Sequence, residues 1–438
     1  VSATLGIRLP YNARMHILLI GNGGREHAIA WKLARSSRLT RLSVAPGNPG
    51  TAREPKTTNV ALEVTDIAAV TSFARDNDVA LAVIGPEAPL VSGLADALRK
   101  AGIPTVGPGA DGAALEGSKA HAKAFMARHA IPTAAYGSFT SETEALAMIE
   151  SEGVPIVIKA DGLAAGKGVV VAHDLEVARA AVRDMLSGSR HGEAGHRVVI
   201  ESFLAGEEAS FIALIDGNTA LPFATSQDHK ARDEGDTGPN TGGMGAYSPA
   251  PVVTETVRKR VVEQILEPSL RGLGKDGINY RGFLYIGLMI DEAGEPRVVE
   301  YNVRLGDPET QPLLMRLDSD LVDLLEATAA GNLASVSAEW SENPAIGIVL
   351  AAGDYPAGSS RGAAITGLQE AEAAGCTVFH AGTAEQDGEL VTNGGRVLCV
   401  TTTGTDLASA KAAADKAAAR VHFDGVRYRR DIGHRALP

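Results

Sequence analysis

Lys159 and Lys167 bracket a loop of small residues that holds Gly162, Gly166 and Gly168. Glycine has no Cβ, so backbone amides at such positions approach an anion closely, and successive amides with flanking lysine charges form a cradle for phosphate oxygens. The spacing is not that of a P-loop, which needs four residues between its glycines, then Lys and Ser/Thr, then a helix. Here three residues separate Gly162 from Gly166, Gly168 follows Lys167, and a β-branched run follows at 169–171. The loop therefore joins two strands, 156–158 and 169–171, as a polyphosphate lid. The competing reading is a plain hairpin turn that happens to contain a lysine. A second constellation is Glu300, Asn302 and Arg304. Residues two apart on a strand face the same way, so Glu300 and Asn302 present two oxygens to one point. Oxygen-only ligands suit magnesium, which keeps waters and substrate phosphates in its shell. Arg304 falls on that same face if the strand continues, and would there neutralise a carboxylate or a transferring phosphoryl group. An ion-pair ladder on the surface is the bland alternative. A third is Glu201, Phe203, Leu204 and Glu208. Phe203 and Leu204 suit the faces of a flat base, with Glu201 and Glu208 for its amine and for ribose hydroxyls, although periodicity alone assigns the apolar pair to a core.

The elements that position these groups follow from the hydrophobic pattern. A strand at 16–20, a glycine turn at 21–27 and a helix at 28–35 open a doubly wound α/β unit, with the turn's amides at a helix N-terminus where a phosphate binds well. Glu26 stands where a dinucleotide fingerprint wants its third glycine. The second strand, 42–45, runs into Pro46-Gly47-Asn48-Pro49-Gly50 rather than an acid for the ribose, so NAD is disfavoured against a phosphorylated metabolite with Arg25 as a donor. His27 reads as a structural helix residue. A strand at 80–84 ends just before Glu87, at the carboxyl edge where ligands bind. A small lid unit follows, with helices near 141–151 and 175–186 and a last strand at 197–200. Strands at 210–215 and 222–224, a polar glycine-rich loop at 236–247, a helix at 255–273 and a hairpin of 283–290 with 296–301 complete the centre. A loop of that length inside a compact unit reads as a binding loop. Strands at 347–352, 378–381 and 396–401 and an alanine-rich helix at 407–421 form a closing α+β unit, with Arg396 in a turn.

The expected organisation is a multidomain α/β and α+β chain. A disordered extension over 1–14 precedes the natural start at Met15. An N-terminal doubly wound domain over 15–117 follows, then a central domain over 118–135 and 202–340, a lid over 136–201 and a C-terminal α+β domain over 341–438. The 438 residues are 45% hydrophobic and 21% charged, an ordinary globular mix, and the net charge of −12 argues against broad nucleic-acid or anionic-membrane binding. Cys376 and Cys399 are too far apart in sequence for a zinc pattern and fit buried thiols in a reducing cytoplasm. No apolar run is long enough to span a bilayer, and residues 1–14 lack the apolar centre of a signal peptide.

Taken together, these features resemble the ATP-grasp ligases. The runs at 21–28, 85–90, 158–168, 227–230, 236–249, 306–311 and 391–400 are similar to the glycinamide ribonucleotide synthetase family, over about residues 15–436. The long loop and the Gly-Asp-Pro-Glu-Thr-Gln run are the more specific parts. The resemblance implies ATP-dependent ligation of glycine to 5-phosphoribosylamine through a glycyl phosphate, with magnesium or manganese, by a cytoplasmic monomer. It implies that Lys119, Lys159, Ala165, Gly166, Lys167 and Gly168 hold ATP phosphates, and that Glu201, Phe203 and Leu204 line the adenine with Glu208 at the ribose. Glu300 and Asn302 match the metal ligands. Gly23, Gly24, Arg25 and Glu87 are expected at phosphoribosylamine. Asn240, Thr241, Gly243, Met244, Arg304 and Asp307 are expected at glycine and the reacting atoms, with Arg304, Lys159 and Asp307 in the catalytic roles. Many ATP-grasp enzymes carry a further acid on the preceding strand, where this chain has Gly287. Val303 and Leu305 stand where many members have Cys and Phe, and Tyr301 replaces Phe. The first two point away from the metal face, so these departures bear on packing. Rival readings are another ATP-grasp enzyme of purine synthesis, a nucleotide-sensing protein without turnover, and an NAD-dependent oxidoreductase.

Overall fold

A computed structural model describes residues 15–163, 168–187 and 196–437. The N-terminal sheet is parallel, in the order Thr57–Asn59, Leu39–Pro46, Met15–Gly21, Leu81–Ile84, Thr105–Val106. Its central strand is apolar and buried from Ile17 to Ile20 because both faces are covered. Leu18 and Ile20 face one core, shared with Phe125, Phe211 and Ile286; Ile17 and Leu19 face the other, with Leu313, Val349 and Phe379. The chain order reverses between Met15–Gly21 and Leu81–Ile84, so their carboxyl ends open a crevice at Gly23 and Glu87.

The lid is an antiparallel sheet in the order Tyr136–Phe139, Val198–Ser202, Ile156–Ala160, Val169–Ala172, backed by the helices Glu142–Glu152 and Leu175–Leu186 around its own small core. The central antiparallel sheet runs Ala220–Pro222, Glu207–Ile215, Gly282–Ile290, Pro296–Asn302. Its register sets Gly287 opposite Glu300. The expected strand at 222–224 is displaced to Ala220–Pro222, at a sheet edge that tolerates a residue without an N–H. The helix expected at 255–273 is helical from Glu255 to Lys275, but a π-helical turn, Val262–Leu266, interrupts it just ahead of Pro268, which cannot donate to the preceding turn.

The C-terminal sheet departs most from the pattern read along the chain. Its order is Gln227–Asp228, Gly245–Ser248, Ala345–Ala351, Arg396–Thr403, Thr377–His380, all antiparallel, with the helix Leu407–Ala418 packed on it. Two of its strands come from the segment assigned to the central domain, so the boundary at 341 cuts through a sheet. Cys376 and Cys399 are both free and buried. Among the described residues no helix is long and apolar enough to cross a membrane.

Candidate active site

A cavity of about 640 Å³ opens where the lid, both larger sheets and the N-terminal crevice meet. Its wall takes Arg25, Glu87 and Glu116 from the N-terminal unit and Lys159, Gly168 and Phe203 from the lid and its hinge. The central unit gives Glu208, Lys230, Glu300, Asn302 and Arg304, and the C-terminal unit gives Tyr355 and Arg396.

Glu300 and Asn302 share one face at the end of the strand Pro296–Asn302, as alternation requires, and Arg304, just beyond the strand, reaches the same face. Asn302 Nδ2 donates to Glu300 Oε1 at 3.4 Å, and Arg304 Nη2 donates to Asn302 Oδ1 at 3.0 Å. Arg304 also pairs with Glu116 at 2.7 Å and faces Glu87 at 3.5 Å. Burial alone would raise the Glu300 carboxyl, but Lys230, Lys159, Lys119 and Arg304 hold it below its ordinary value, so it is ionised at neutral pH. A half-buried carboxylate with an amide carbonyl two residues along supplies oxygen donors of the kind a hard divalent cation takes, the carbonyl being held here by Arg304. Asp228 also lines the cavity, and burial pushes its carboxyl up against the pull of Lys230, with Glu309, Glu208 and Glu300 adding to the rise.

The lysines converge as expected. Lys159 is buried, with its Nζ 2.8 Å from Glu201 Oε1 and donating to the Val299 carbonyl at 3.1 Å. Lys119 Nζ donates to the Gly162 carbonyl at 3.0 Å, which pins the start of the phosphate loop to the helix Lys119–Arg128. Gly168 lines the cavity, whereas Ala165, Gly166 and Lys167 lie outside the described residues. Glu201 is placed differently from expectation. Its second oxygen pairs with Lys123 Nζ at 2.8 Å, so both oxygens are taken by lysines and the carboxylate positions Lys159 rather than standing free for a base amine. Phe203 is 38% exposed and lies with Leu204 on the cavity wall rather than in a core. Glu208 pairs with Lys230 at 3.0 Å.

On the opposite wall the glycine turn is filled from within. Glu26 Oε2 accepts from the Gly23 N–H at 2.7 Å, and Oε1 accepts from Arg25 Nε at 2.6 Å. A Cβ at Gly85 would fall 2.1 Å from Glu26 Oε1, and one at Gly21, where φ is +127°, 2.4 Å from Glu26 Cγ. The residue in the third-glycine position thus folds inward over two glycines that make room for it. Arg25 is further held by the Leu305 carbonyl at 3.1 Å. Gly23 and Gly24 sit behind the wall, against Asp307 and Gln311. His27 is structural: its Nδ1 accepts from the His380 N–H at 2.7 Å, tying the first helix to the C-terminal unit.

Asn240 and Thr241 line the cavity, but Gly243 and Met244 do not. Gly243, at φ +118°, packs on Pro308, and Met244 is fully buried in the C-terminal core with its backbone bonded to His229 and Val349. Their place in a polar, glycine-rich run hid an anchoring role. Asp307 is held ionised, because Arg396 and Arg25 outweigh its burial. Arg396 Nη1 bonds the carbonyls of Gly242 at 2.8 Å and Asp307 at 2.5 Å, and the Tyr355 hydroxyl accepts from the Gly242 N–H at 2.8 Å. Sequence reasoning gave no site role to Glu116, Lys123, Asp228, Lys230, Glu309 or Tyr355. Two signals were there to be used. Lys123 lies four residues after Lys119 on one helix face, and Asp228 and Lys230 alternate on one extended strand face.

Comparison with known proteins agrees along the whole chain. Family models described as phosphoribosylglycinamide synthetase match as the N domain over residues 15–116, the ATP-grasp (A) domain over 117–310 and the C domain over 345–435. Phosphoribosylamine–glycine ligases of Vibrio cholerae and Escherichia coli K12 are each 55% identical, over 97% of this chain and 99% of theirs. The crystal structure of phosphoribosylamine–glycine ligase from Thermotoga maritima superposes with a TM-score of 0.82 at 35% identity, covering 95% of this chain and all of that one. An N5-carboxyaminoimidazole ribonucleotide synthetase shares the fold, with a TM-score of 0.66 at 16% identity over 93% of this chain and 97% of that one. The chain belongs to the phosphoribosylglycinamide synthetase family of ATP-grasp ligases.

Proposed function

We propose that this chain joins glycine to 5-phosphoribosylamine at the expense of ATP, releasing glycinamide ribonucleotide, ADP and phosphate, as a step of purine synthesis. The observation that carries this is the convergence of Lys119, Lys159, Glu300, Asn302 and Arg304 on one cavity, in a chain 55% identical over 97% of its length to phosphoribosylamine–glycine ligases. The nucleotide lies between Phe203 and Leu204 at the hinge and Lys119, Lys159 and the Gly168 loop at the phosphates, with Glu208 toward the ribose. Glu300 and Asn302 hold the magnesium or manganese ion, which when bound offsets the charge on the phosphates.

Phosphoryl transfer to the glycine carboxylate asks the protein for position and charge compensation rather than a nucleophile. Arg304 stands where charge grows on the transferring group, its guanidinium held in place by Glu116 and Glu87. Asn240, Thr241 and Asp307, held by Tyr355 and Arg396, bound the acyl side. Arg25 and Glu87, with the Gly23-Gly24 turn behind them, take the phosphoribosylamine, whose amine attacks the glycyl phosphate. The lid covers an acyl phosphate that water would otherwise consume. We place the domain limits at 15–117, at 118–135 with 202–340, at 136–201 and at 341–438, the last completing its sheet with strands Gln227–Asp228 and Gly245–Ser248 of the central segment, and read the enzyme as a cytoplasmic monomer. Both cysteines are buried free thiols, which suits a reducing compartment.

The test is ADP release with magnesium-ATP, glycine and phosphoribosylamine generated in place, omitting each in turn. Release that needs both glycine and the amine is expected. Release without glycine would move the acid substrate elsewhere, and no release by folded protein would leave a nucleotide-binding protein.

A further inference from the structure

Behind the cavity lies a polar cluster that the proposed chemistry does not use. His229 sits between Asp228 and Lys230, both of which line the cavity, and its own ring points the other way and is fully buried. Residues 429–435 close over it. The Gly433 N–H donates to His229 Nε2 at 2.9 Å. Arg429, itself 1% exposed, makes a two-pronged pair with Asp431 at 2.7 and 2.6 Å and also bonds Asp236 at 2.9 Å and the Ala231 carbonyl at 3.1 Å. Arg435 bonds Asp236 at 2.7 Å, and Asp431 accepts from the Gly235 N–H at 2.8 Å. Ile432, between them, is buried in the C-terminal core against Gly245.

We propose that His229 is a positioning residue, held from behind by residues 429–435, that fixes the stretch of chain from which Asp228 and Lys230 reach the cavity. The backbone shows how the grip is passed on. His229 N–H donates to the Gly245 carbonyl at 2.9 Å, Met244 N–H to His229 at 2.8 Å, and Thr241 N–H to Lys230 at 2.8 Å. Lys230 then meets Glu208 at 3.0 Å beside Glu300, so a shift at His229 is a shift of the nucleotide and metal end of the cavity.

His229, Asp236 and His434 hold their ligand atoms within 4.8 Å of one another, a spacing that also suits a cation. The hydrogen bonding argues otherwise. Because Nε2 accepts an N–H, the neutral ring carries its proton on Nδ1, the atom that faces Asp236 at 3.7 Å and would have to bind the ion. Burial with Arg429 and Arg435 nearby pushes the ring's pKa down to about 3, and both arginines already occupy Asp236.

The inference rests on the ligase reading for its rate measurement only, since nucleotide binding tests it independently. His229→Leu removes the acceptor, while His229→Gln places an amide oxygen near Nε2. In His229→Leu we expect magnesium-ATP affinity by calorimetry and kcat for ADP release to fall about 10- to 100-fold, with the KM for phosphoribosylamine unchanged, and His229→Gln to recover most of both. Wild-type affinity and kcat in His229→Leu, or equal loss in His229→Gln, would overturn the positioning role. Should His229→Leu not fold, Asp236→Asn decides: it keeps a side chain that tolerates the φ of +55° but drops two ion pairs. Lowered affinity with a retained unfolding midpoint supports the role, and wild-type affinity overturns it. Stoichiometric Zn²⁺ alone is expected to leave the unfolding midpoint unchanged. A rise that His434→Ala abolishes would make the cluster a cation site instead. Magnesium-ATP binding without glycine-dependent ADP release would defeat the ligase reading while the affinities still decide this one.

Discussion

Glu300 is the residue on which the proposed chemistry turns, because its carboxylate is paired by register with a glycine across the strand and faced by Lys119, Lys159 and Lys230. Glu300→Ala is expected to lower glycine-dependent ADP release by about three orders of magnitude, ~4 kcal/mol of transition-state stabilisation, with an unchanged far-ultraviolet dichroism spectrum. Retained activity with normal magnesium dependence would remove it from the metal site. Lys159 is reached differently. Its ammonium is already held by Glu201 and the Val299 carbonyl, so it needs no reorganisation to meet a phosphate. Lys159→Ala should weaken ATP binding by calorimetry about 10- to 100-fold, the range of a charge-assisted hydrogen bond. Unchanged affinity would take the lysine out of the nucleotide site. These two residues were readable from type and spacing. Glu201 was not, because its partner Lys123 lies 78 positions away and only the fold joins them.

At the scale of the element, the first helix and the glycines around Glu26 form a tight unit. Gly85→Ala drives a methyl group into a buried carboxylate and is expected to destabilise the fold by about 1–3 kcal/mol, seen as a lower midpoint in thermal or urea unfolding. Gly274 offers the opposite case. It lies in the helix Glu267–Lys275 with nothing within 4 Å of an added Cβ, so Gly274→Ala should stabilise by about 0.5–1 kcal/mol. A lower midpoint there would mean that the helix needs the glycine for a reason its surroundings do not show. The π-helical turn ahead of Pro268 and the shift of an edge strand to Ala220–Pro222 show the same limit at this scale. Periodicity locates an element, but a proline's missing donor is resolved by whichever neighbours happen to be near.

At the scale of the whole molecule, the C-terminal unit is tied to the rest by charge as well as by its shared sheet. Burial works to raise the Asp431 carboxyl, but bonds from Arg429 and the Gly235 N–H overcome it and bring the pKa down to about 2, from an ordinary 3.8. A lowered carboxylate pKa contributes stability that is fully present above the unfolded value and is lost as pH falls through the folded one. Wild-type stability should therefore decline between about pH 4 and pH 2 more steeply than that of Asp431→Asn, as read by urea midpoints across that range. Parallel slopes would show that Asp431 does not contribute to the acid limb.

The sequence by itself determined the chemistry and the order of the units. Lysine, glycine, glutamate, asparagine and arginine at those spacings specify phosphate, metal and charge compensation, and strand alternation is enough to put Glu300 and Asn302 on one face, which Arg304 reaches from beyond the strand end. Only the tertiary structure decided which groups complete the site. Strands Gln227–Asp228 and Gly245–Ser248 leave the central unit to join a sheet begun a hundred residues later, which buries Met244, brings Arg396 and Tyr355 to the cavity and turns His229 toward residues 429–435. The physical reason is that side-chain type and local period are properties of a short stretch of chain, whereas strand pairing between distant segments is fixed by the joint burial of surfaces that no single stretch contains.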